Sequence, residues 1–468
     1  MPVKLEFCGG VGTVTGSRYL LDTGQTRLFV DCGLCQEWHC KARNWRPFEV
    51  APALLKAVLL THAHVDHCGL LPKLVKDGFS GDIYCTEATA QIAAIALLDS
   101  AKIQEEDAAF KKKRHEREGR KGPYPEIPLY TVEDAEATIP LFKPVRYGER
   151  VPLDGGIEAI FHDAGHILGA SSIELRLKAN GTPRTILFSG DIGRRNRPII
   201  EDPSQIDAAD YVIVESTYGD RLHEDPTLIP DKLAEVINSA YRAGGNIVVP
   251  AFAIERAQEI LYTLNELLIQ GRIPRLMVFL DSPMAARVTE VFKEHPELYD
   301  QETRGRIREG HSPFEFPGLI TVQSIEDSKA INNIKGTCMI IAGSGMASGG
   351  RIKHHLVANI SRPESTILFV GYQSPGTLGR QIVDGAKEVR ILGQMRPVRA
   401  RVVHLGGFSA HADRDELTDW LTRLKRAPRH VFVTHGEEEV SKTFAEYVRA
   451  KTGWSVSVPR YMDEVVLD

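Results

Sequence analysis

Several features that would place a chain in a familiar class are missing from this sequence. No apolar run reaches the length of about 18 residues that a membrane-spanning helix needs, so we expect no membrane span. The start, MPVKLEFCGG, lacks the charged and then apolar layout of a signal peptide. The formal net charge of −5 argues against an overall basic nucleic-acid-binding protein, although it leaves room for a local basic groove. At 468 residues, the chain should form about two or three domains.

Cysteine is also scarce, and its placement predicts the redox state. Seven cysteines, an odd number scattered along the chain, favour free thiols in a reducing cytoplasm over a disulfide framework. The stretch DCGLCQEWHC is denser, with Cys32, Cys35, His39 and Cys40. A CxxC pair can begin a zinc ribbon, but no second pair follows. We therefore expect buried or partly exposed thiols without a metal at this stretch, and a cytoplasmic protein.

The pattern of apolar residues divides the chain into three stretches. Up to about residue 216, short apolar or alternating runs closed by glycine predict a sheet-rich α/β layer, with one long helix after residue 86. From about residue 220, helical patterns alternate with apolar strands, which is typical of βαβ units and a parallel sheet. Near residue 390 the short strands return. A domain inserted into another domain fits this layout better than two domains in series.

The stretch THAHVDHCG carries four titratable groups directly after an apolar strand. His62 and His64 are two residues apart, so in an extended chain they project from the same face. Asp66 and His67 follow at the start of the next helix. The four groups should therefore crowd one corner at the carboxyl end of a strand, where open α/β sheets bind ligands. Imidazole and carboxylate together suit Zn²⁺, with Mn²⁺ or Fe²⁺ less favoured.

Three further strand ends offer partners for this corner. His166, Asp191 and His435 each follow a predicted strand. Each alone would more often be structural, but together with the first four they make seven ligands. A zinc ion takes about four ligands, so seven are too many for one ion. The count suits two ions that share a bridging carboxylate and a bridging hydroxide.

The motifs carry a resemblance to a known family. FVDCG, THAHVDHCG, GHILGAS and SGDIG resemble the successive motifs of the metallo-β-lactamase fold, and VESTYG, FSAHAD and VTHGE resemble those of its β-CASP branch. That branch includes the mRNA 3′-end-processing endonuclease and RNase J. The resemblance implies an αββα metallo-β-lactamase sandwich, in residues 1–217 and 393–468. It implies an inserted α/β β-CASP domain with a mainly parallel sheet in residues 218–392.

The resemblance also implies a role for each matching position. The first zinc would be held by His62, His64 and His166, the second by Asp66, His67 and His435, and Asp191 would bridge them. Asp31 would support a ligand from behind. Asp66 would also belong to the catalytic groups, together with Glu215 and His411, the pair that supplies a proton to the leaving group in the family. His404 competes with His411 for that role, but its apolar strand predicts a core or supporting histidine.

Several residues are candidates for contacts with the substrate phosphates. The resemblance offers Ser409, and the sequence after Asp191 offers Arg194, Arg195 and Arg197. The glycine-rich stretch around Gly343, Ser344 and Gly345 could cradle a phosphate or be a plain strand–helix turn. The basic tract at Lys111, Lys112 and Lys113 could be an approach path for RNA or a solvated helix end. His354 and His355 are expected at the surface.

The leading expectation is a zinc-dependent ribonuclease that uses two metal ions and a metal-bridging hydroxide on single-stranded RNA. Whether cleavage is internal or proceeds from the 5′ end stays open. One alternative is a small-molecule ester or thioester hydrolase on the same fold, which would not explain Glu215, His411 or the inserted domain. The other is a catalytically silent RNA-binding scaffold, although such relatives typically lose metal ligands. No membrane partner is expected, and a homodimer is among the assemblies considered.

Overall fold

The computed structural model describes residues 2–374 and 376–468. The chain forms two compact units. The first unit contains residues 2–195, 202–222 and 411–468, and the second contains residues 196–201 and 223–410. No helix in the described part of the chain is long and apolar enough to cross a membrane.

The first unit begins with eleven strands and four helices. The strands are β1 (Val3–Phe7), β2 (Tyr19–Asp22), β3 (Arg27–Val30), β4 (Ala57–Leu59), β5 (Asp82–Thr86), β6 (Phe142–Val145), β7 (Arg150–Leu153), β8 (Ile157–Asp163), β9 (Ser171–Ala179), β10 (Thr182–Phe188) and β11 (Tyr211–Val214). The helices are α1 (Val65–Cys68), α2 (Leu71–Lys76), α3 (Glu87–Glu118) and α4 (Val132–Thr138). The long helix predicted after residue 86 is therefore present as α3.

The second unit follows with alternating helices and strands. Its strands are β12 (Ile247–Pro250), β13 (Met277–Leu280), β14 (Leu319–Thr321), β15 (Cys338–Ala342), β16 (Thr366–Val370), β17 (Glu388–Ile391), β18 (Gln394–Pro397) and β19 (Arg401–Leu405). Its helices are α5 (Ile229–Ala243), α6 (Arg256–Ile269), α7 (Pro283–Glu294), α8 (Gln301–Arg308), α9 (Ile325–Ala330), α10 (Ile352–Asn359) and α11 (Leu378–Val383).

The chain then returns to the first unit. The returning elements are α12 (Arg414–Thr422), β20 (His430–Val433), α13 (Glu438–Thr452), β21 (Val456–Ser457) and β22 (Glu464–Leu467). Strand β22 pairs with β1, and β20 pairs with β11, so the C-terminal segment completes both sheets of the first unit. The first unit is therefore complete only with the C-terminal segment, which follows the second unit in the sequence.

Two seven-stranded sheets form the centre of the first unit. Their strand orders are β22-β1-β2-β3-β4-β5-β6 and β21-β20-β11-β10-β9-β8-β7. Buried aromatic and branched side chains from both sheets meet in one core, among them Phe7, Phe161 and Phe188. Helices α12 and α13 cover the outer face of the second sheet through residues such as Trp420 and Phe444. The sandwich expected from the sequence is confirmed.

The second unit is built on one fully parallel sheet. Its order is β14-β13-β15-β12-β16-β19, and every pairing is parallel. Strands β12, β15 and β16 are buried along their whole length, as expected for a parallel sheet covered on both faces. Strand β19 pairs with β16, and the second unit extends to residue 410, whereas the sequence predicts a return to the first domain at residue 393. The domain boundaries at 217 and 392 stay predictions.

The sheets of the first unit determine where its polar residues collect. Strands β10, β11 and β20 are parallel neighbours, so their carboxyl ends lie at the same edge. Asp191, Glu215 and His435 follow these three strands. His62 follows β4 of the other sheet, and His166 follows β8. Both sheets therefore deliver titratable side chains to one end of the sandwich.

Candidate metal centre

Four donor atoms at the edge of the sandwich form the first donor set, which consists of His62, His64, His166 and Asp191. Nδ1 of His64 lies 3.1 Å from Nε2 of His62 and 3.3 Å from Nε2 of His166. Oδ2 of Asp191 lies 3.4 and 3.6 Å from the Nε2 atoms of His62 and His166. Ligands about 2.0 to 2.1 Å from a tetrahedral zinc ion are about 3.3 Å apart. The spacing therefore fits one such ion.

The second donor set consists of Asp66, His67 and His435, and it shares Asp191 with the first. Oδ1 of Asp191 lies 3.3 Å from Nε2 of His67 and 3.5 Å from Nε2 of His435. Nε2 of His435 is also 4.0 Å from Oδ2 of Asp66. The two carboxylate oxygens of Asp191 thus face different donor sets, which is the arrangement of a bridging carboxylate.

The donor atoms are buried without the partners that such groups normally have. Among the described residues, neither carboxylate oxygen of Asp191 has a hydrogen-bond partner, and Nε2 of His67 has none either. Both side chains are buried. Buried polar groups without partners are costly, and a cation placed among them would remove that cost. The donor set therefore fits divalent metal ions of the zinc type.

The protonation of the histidines agrees with ligation. Burial, together with neighbouring His67, lowers the pKa of His62 to about 3, so its imidazole is neutral and offers a lone pair. Burial lowers the pKa of His166 well below its usual value, and the nearby His411 adds to this effect. For His67, burial is outweighed by Asp191 and Asp31, whose carboxylates hold its pKa well above the usual value. A metal ion bound there would replace a proton.

Residues behind the donor atoms fix the orientation of the histidine rings. Oδ2 of Asp31 is 2.7 Å from Nδ1 of His67, and the Thr61 N–H donates to Oδ1 of Asp31 at 2.8 Å. Oγ1 of Thr61 is 3.0 Å from Nδ1 of His62. These partners lock each ring with its other nitrogen toward the centre, as the outer partners of metal ligands do. The placement of Asp31 agrees with its predicted supporting role.

Sequence reasoning missed Thr61 and a second supporting residue, Ser17. Oγ of Ser17 lies 2.7 Å from Nδ1 of His435, which is 418 positions away in the sequence. Thr61 could have been noticed because it stands directly before His62. For Ser17 the only signal in the sequence is the glycine-rich stretch around it, which does not indicate the residue that its side chain contacts.

Glu215 and His411 are brought together beside Asp191. Nδ1 of His411 lies 3.2 Å from both carboxylate oxygens of Glu215 and 3.8 Å from Oδ2 of Asp191. The carboxylate of Glu215 is fixed because its oxygens accept the Ile192 N–H at 2.7 Å and the Thr217 N–H at 3.2 Å. Desolvation lowers the pKa of His411, but Glu215 and Asp191 outweigh it and raise the pKa to about 9.

Two other histidines lie in environments opposite to those expected. His404, predicted to be a core or supporting residue, is exposed, and its Nε2 is 2.8 Å from the carbonyl oxygen of Gly371. It lies on β19, an edge strand of the parallel sheet, where an apolar run is not covered on all sides. His355, expected at the surface, is buried, with Nε2 2.5 Å from Oδ2 of Asp281. His354, its neighbour, is exposed as expected.

The predicted phosphate contacts are largely engaged within the protein. Nε of Arg194 is 3.3 Å from Glu416, and Arg197 forms a buried ion pair with Glu259. Arg195 lies 3.7 Å from Asp419. Ser409 is buried. The role of these residues at phosphates stays a prediction.

The glycine-rich loop is a compact turn held by its own hydrogen bonds. Oγ of Ser344 accepts the N–H groups of Ser348 at 3.1 Å and Gly349 at 3.2 Å, and the Gly349 carbonyl accepts the Ser344 N–H at 3.2 Å. A Cβ atom at Gly345 would meet the ring of Phe252 at 2.7 Å, so close packing requires glycine there. These contacts favour the plain turn over a phosphate cradle.

By contrast, the basic tract at residues 111–113 is exposed near the end of α3.

The cysteine stretch differs from the expectation of free thiols. Cys35 and Cys40 form a disulfide, with their Cα atoms 6.0 Å apart, because the loop between them folds back. The sequence had drawn attention to Cys32 and Cys35, but Cys32 is a separate buried thiol. Cys68, next to His67, donates its S–H to the Ala63 carbonyl at 3.4 Å and lies outside both donor sets.

Three family models match successive parts of the chain. Residues 20–191 match the metallo-β-lactamase superfamily domain, and residues 257–382 match the Beta-Casp domain. Residues 395–459 match the Zn-dependent metallo-hydrolase RNA specificity domain. Six of the seven predicted ligands lie within the first of these ranges, because it contains the corner after β4 and extends to Asp191.

Curated relatives match almost the whole chain. Ribonuclease TTHA0252 of Thermus thermophilus is 40% identical over 98% of this chain and 98% of its own length. Transcription termination factor FttA of Methanocaldococcus jannaschii is 31% identical over 99% of this chain and 71% of its own length. A crystal structure of a protein of unknown function from Enterococcus faecalis covers 100% of both chains with a TM-score of 0.57 at 12% identity, which supports the fold alone. The chain belongs to the β-CASP family of the metallo-β-lactamase superfamily.

Proposed function

We propose that this β-CASP metallohydrolase is a ribonuclease that cleaves RNA phosphodiester bonds with two divalent metal ions. The observation that carries the proposal is the position of Asp191, whose two oxygens each face a separate donor set. Membership of the family implies divalent-metal binding. The nitrogen-rich donors favour Zn²⁺, with Mn²⁺ as the second choice, and the count of two rests on the seven ligands.

The roles of the side chains follow from their positions. The first ion would be held by His62, His64 and His166, the second by Asp66, His67 and His435, and both by Asp191. When bound, two such ions neutralise charge on the phosphate oxygens and make water a better nucleophile at neutral pH. Asp66, which is only partly buried, is the member of the second donor set that we also place among the catalytic groups.

We assign the proton for the departing oxygen to His411. A poor alkoxide leaving group needs a proton, and a histidine that stays protonated at neutral pH can supply it. Glu215 holds Nδ1 of His411 with both of its oxygens, so the opposite ring nitrogen is the one assigned to donate. An ester or thioester hydrolase would have no comparable need for this pair, because its leaving group departs more readily.

RNA is the proposed substrate because of the relatives. A relative that matches over 98% of both chains is named a ribonuclease, and the C-terminal match is to an RNA specificity domain. The FttA relatives are longer than this chain, so their named role in termination is the weaker guide. We propose single-stranded RNA, with Ser409 and Arg194 as phosphate contacts to be tested. The Gly343–Gly345 loop is the weaker candidate, because its own hydrogen bonds favour a plain turn. A homodimer and a cytoplasmic location stay predictions.

A pair of RNAs tests the activity and its direction. One is linear with a 5′ phosphate and the other is a closed circle of the same sequence, and both are incubated with zinc-loaded protein. Cleavage of both is expected from an endonuclease, and cleavage of the linear RNA alone from a 5′ exonuclease. Purified Asp191→Asn protein controls for contaminating nucleases. If neither RNA is cleaved while two zinc ions are bound, the proposed function is wrong.

A further inference from the structure

A further cluster of potential metal ligands lies in the loop at residues 35–40, outside the donor sets of the metal centre. Cys35, Glu37 and Cys40 each offer a ligand atom, and these atoms lie within 4.8 Å of one another. Sγ of Cys40 is 3.4 Å from Oε2 of Glu37. Both cysteines are buried, and in the structure they are joined as a disulfide. The disulfide alone does not account for the carboxylate beside it.

Glu37 is the feature that the disulfide leaves unexplained. Its Oε1 accepts the Val14 N–H at 2.9 Å, while its Oε2 points at Cys40. Burial raises the pKa of Glu37 to about 7. Among the described residues, its one ion-pair contact is with Nε2 of His39 at 3.9 Å, on the same loop. A partly buried carboxylate beside the sulphur of Cys40 is what a bound cation would stabilise.

We propose that reduction of the Cys35–Cys40 bond opens a site for one thiophilic divalent cation of the Zn²⁺ type. Its ligands are Cys35, Glu37 and Cys40, with His39 as the fourth. Four residues separate the two cysteines, within the spacing of two to four that is usual for paired zinc thiolates. A sulphur and an oxygen bound to one tetrahedral zinc ion are about 3.5 Å apart, close to the separation of Cys40 and Glu37.

The chemistry of the change is balanced by a dithiol reductant. Two electrons and two protons pass from the dithiol to the cysteine pair, so the Sγ–Sγ bond breaks and the dithiol closes into its own disulfide. Binding of the cation then releases the two thiol protons, because the thiolate is the ligand. The disulfide and the metal site are mutually exclusive states of the same two sulphur atoms.

The loop is attached to segments that support the catalytic ligands. The Leu34 N–H donates to the carbonyl of Val65, the first residue of α1, at 3.0 Å. Oγ1 of Thr15 accepts the Gln36 N–H at 3.0 Å, and Thr15 stands two residues before Ser17. Either a disulfide or a cation ties the loop to these segments. When neither the disulfide nor the cation is present, only the hydrogen bonds hold the loop. The reduced, metal-free protein should therefore be less stable than the oxidised protein and than the reduced, metal-bound protein.

Cobalt reports on this site separately from the metal centre. Thiolate–Co²⁺ bonds give a charge-transfer absorption in the near ultraviolet, whereas the donor sets of the metal centre contain only nitrogen and oxygen. The full chain is reduced with a dithiol, stripped of metal, freed of both reagents under argon and titrated with Co²⁺. The band should saturate when the loop has bound one Co²⁺ per chain, in addition to the ions that the metal centre takes up without a band, and Zn²⁺ should remove it. The oxidised chain should show no band.

Variants assign the band to the loop. Cys35→Ser and Cys40→Ser should each lose it, and Glu37→Gln should weaken Co²⁺ binding by about 10-fold or more, since even groups that only support a ligand contribute that much. Cys338→Ser is the matched control, because its hydroxyl can keep the contact to Oδ1 of Asn246. Should the cysteine variants misfold, the oxidised and reduced wild type together with Glu37→Gln decide the matter. A reduced chain without the band, or a band unchanged in these variants, overturns the proposal.

Discussion

Two buried aspartates, one in each unit, follow apolar parallel strands and differ in what surrounds their carboxylates. Asp281 follows β13, and its Oδ1 accepts from Arg351 at 2.6 Å while Oδ2 accepts from Ser328 at 2.5 Å and contacts His355. Asp191 follows β10, and within the described residues neither of its oxygens has a hydrogen-bond partner. One carboxylate is held by hydrogen bonds from its own unit, and the other faces the imidazole nitrogens of both donor sets without a hydrogen bond among the described residues.

The difference teaches how to separate a structural polar cluster from a metal centre. Both clusters combine histidine and aspartate, so residue type alone does not distinguish them. Contacts from charged or polar neighbours lower the pKa of both aspartates, so the direct hydrogen bonds from Ser328 and Arg351, and not the pKa, mark Asp281 as a satisfied ion pair. At Asp191, the acceptor atoms converge without donors, and only a cation of high charge would complete the site.

The largest expected effect comes from changing Asp191. Asp191→Asn should remove the shared ligand, so bound metal should fall by at least one ion per chain and RNA cleavage on the order of 10³-fold. Elemental analysis and initial rates measure both quantities. The metal-free protein should stay folded, since no hydrogen bond of the described structure depends on that carboxylate.

Asp281→Asn is the matched change in the other cluster, and it should have the reverse effect. Metal content should be unchanged, while loss of the charge that Arg351 faces should cost about 3 kcal/mol of unfolding free energy, measured by urea denaturation. Loss of metal in Asp281→Asn, or a normal metal content in Asp191→Asn, would contradict the assignment of Asp191 as a metal ligand and Asp281 as a structural residue.

His411→Ala tests the proton donor beside Asp191. His411 also lies in a cluster with Asp191 and Glu215 that could hold a metal, but Glu215 occupies its Nδ1. If His411 is the proton donor, metal content should stay intact while cleavage falls by about 10²-fold to 10⁴-fold. His404→Ala is the control, since His404 is exposed and should leave the rate unchanged. Loss of metal from the His411 variant would mean that this residue is a ligand.

Replacing a residue that orients a metal ligand should lower metal affinity less than replacing the ligand itself. Asp31→Asn weakens the partner of His67 and should lower metal affinity about 10-fold to 100-fold, as measured by competition with a chelator. Glu174→Gln is the control, because it alters a similar carboxylate–histidine contact, 2.9 Å from His162, elsewhere in the unit. An equal loss in both variants would point to general destabilisation.

The pH profile should report the charge that surrounds His411. Its pKa is raised, so the acid form is present at neutral pH and is lost as the pH rises toward about 9. Metal ions at Asp191 would offset part of this rise, which leaves Glu215 as the main remaining cause. In Glu215→Gln the alkaline decline of kcat should therefore move to lower pH. An unchanged decline would assign it to another group.

The smallest effect is expected at the basic tract at the end of α3. Replacement of Lys111, Lys112 and Lys113 by Gln should weaken RNA binding at low salt and reduce the salt slope by up to about 2, if each contacts a phosphate of a single strand. The catalytic rate at saturating RNA should not change. Unaltered binding at low salt would make the tract a solvated helix end.

Most of the metal centre could be predicted because the ends of buried strands can be recognised from the pattern of apolar residues. An apolar run followed by a histidine or aspartate places that side chain at a sheet edge, and this identified His166, Asp191 and His435. Ser17 could not be found, because its partner His435 is 418 positions away and a serine after a glycine-rich stretch has many other uses. Contacts of that kind depend on the folded arrangement of both sheets.

Burial of individual residues was harder to predict than the elements that carry them. His404 lies on an apolar strand, but that strand is at the edge of its sheet, so the side chain is exposed. His355 lies on a helix whose inner face packs on the core, and it is buried against Asp281. The Cys35–Cys40 bond depends on a loop that folds back, which neither spacing nor composition reveals.

The most direct test of a two-metal centre is anomalous diffraction at the zinc edge from crystals of the oxidised, zinc-loaded chain. Oxidation keeps the Cys35–Cys40 loop out of the measurement. We expect two peaks on either side of Asp191, one within reach of His62, His64 and His166 and the other within reach of Asp66, His67 and His435. A single peak, or peaks that do not contact Asp191, would contradict a two-metal centre.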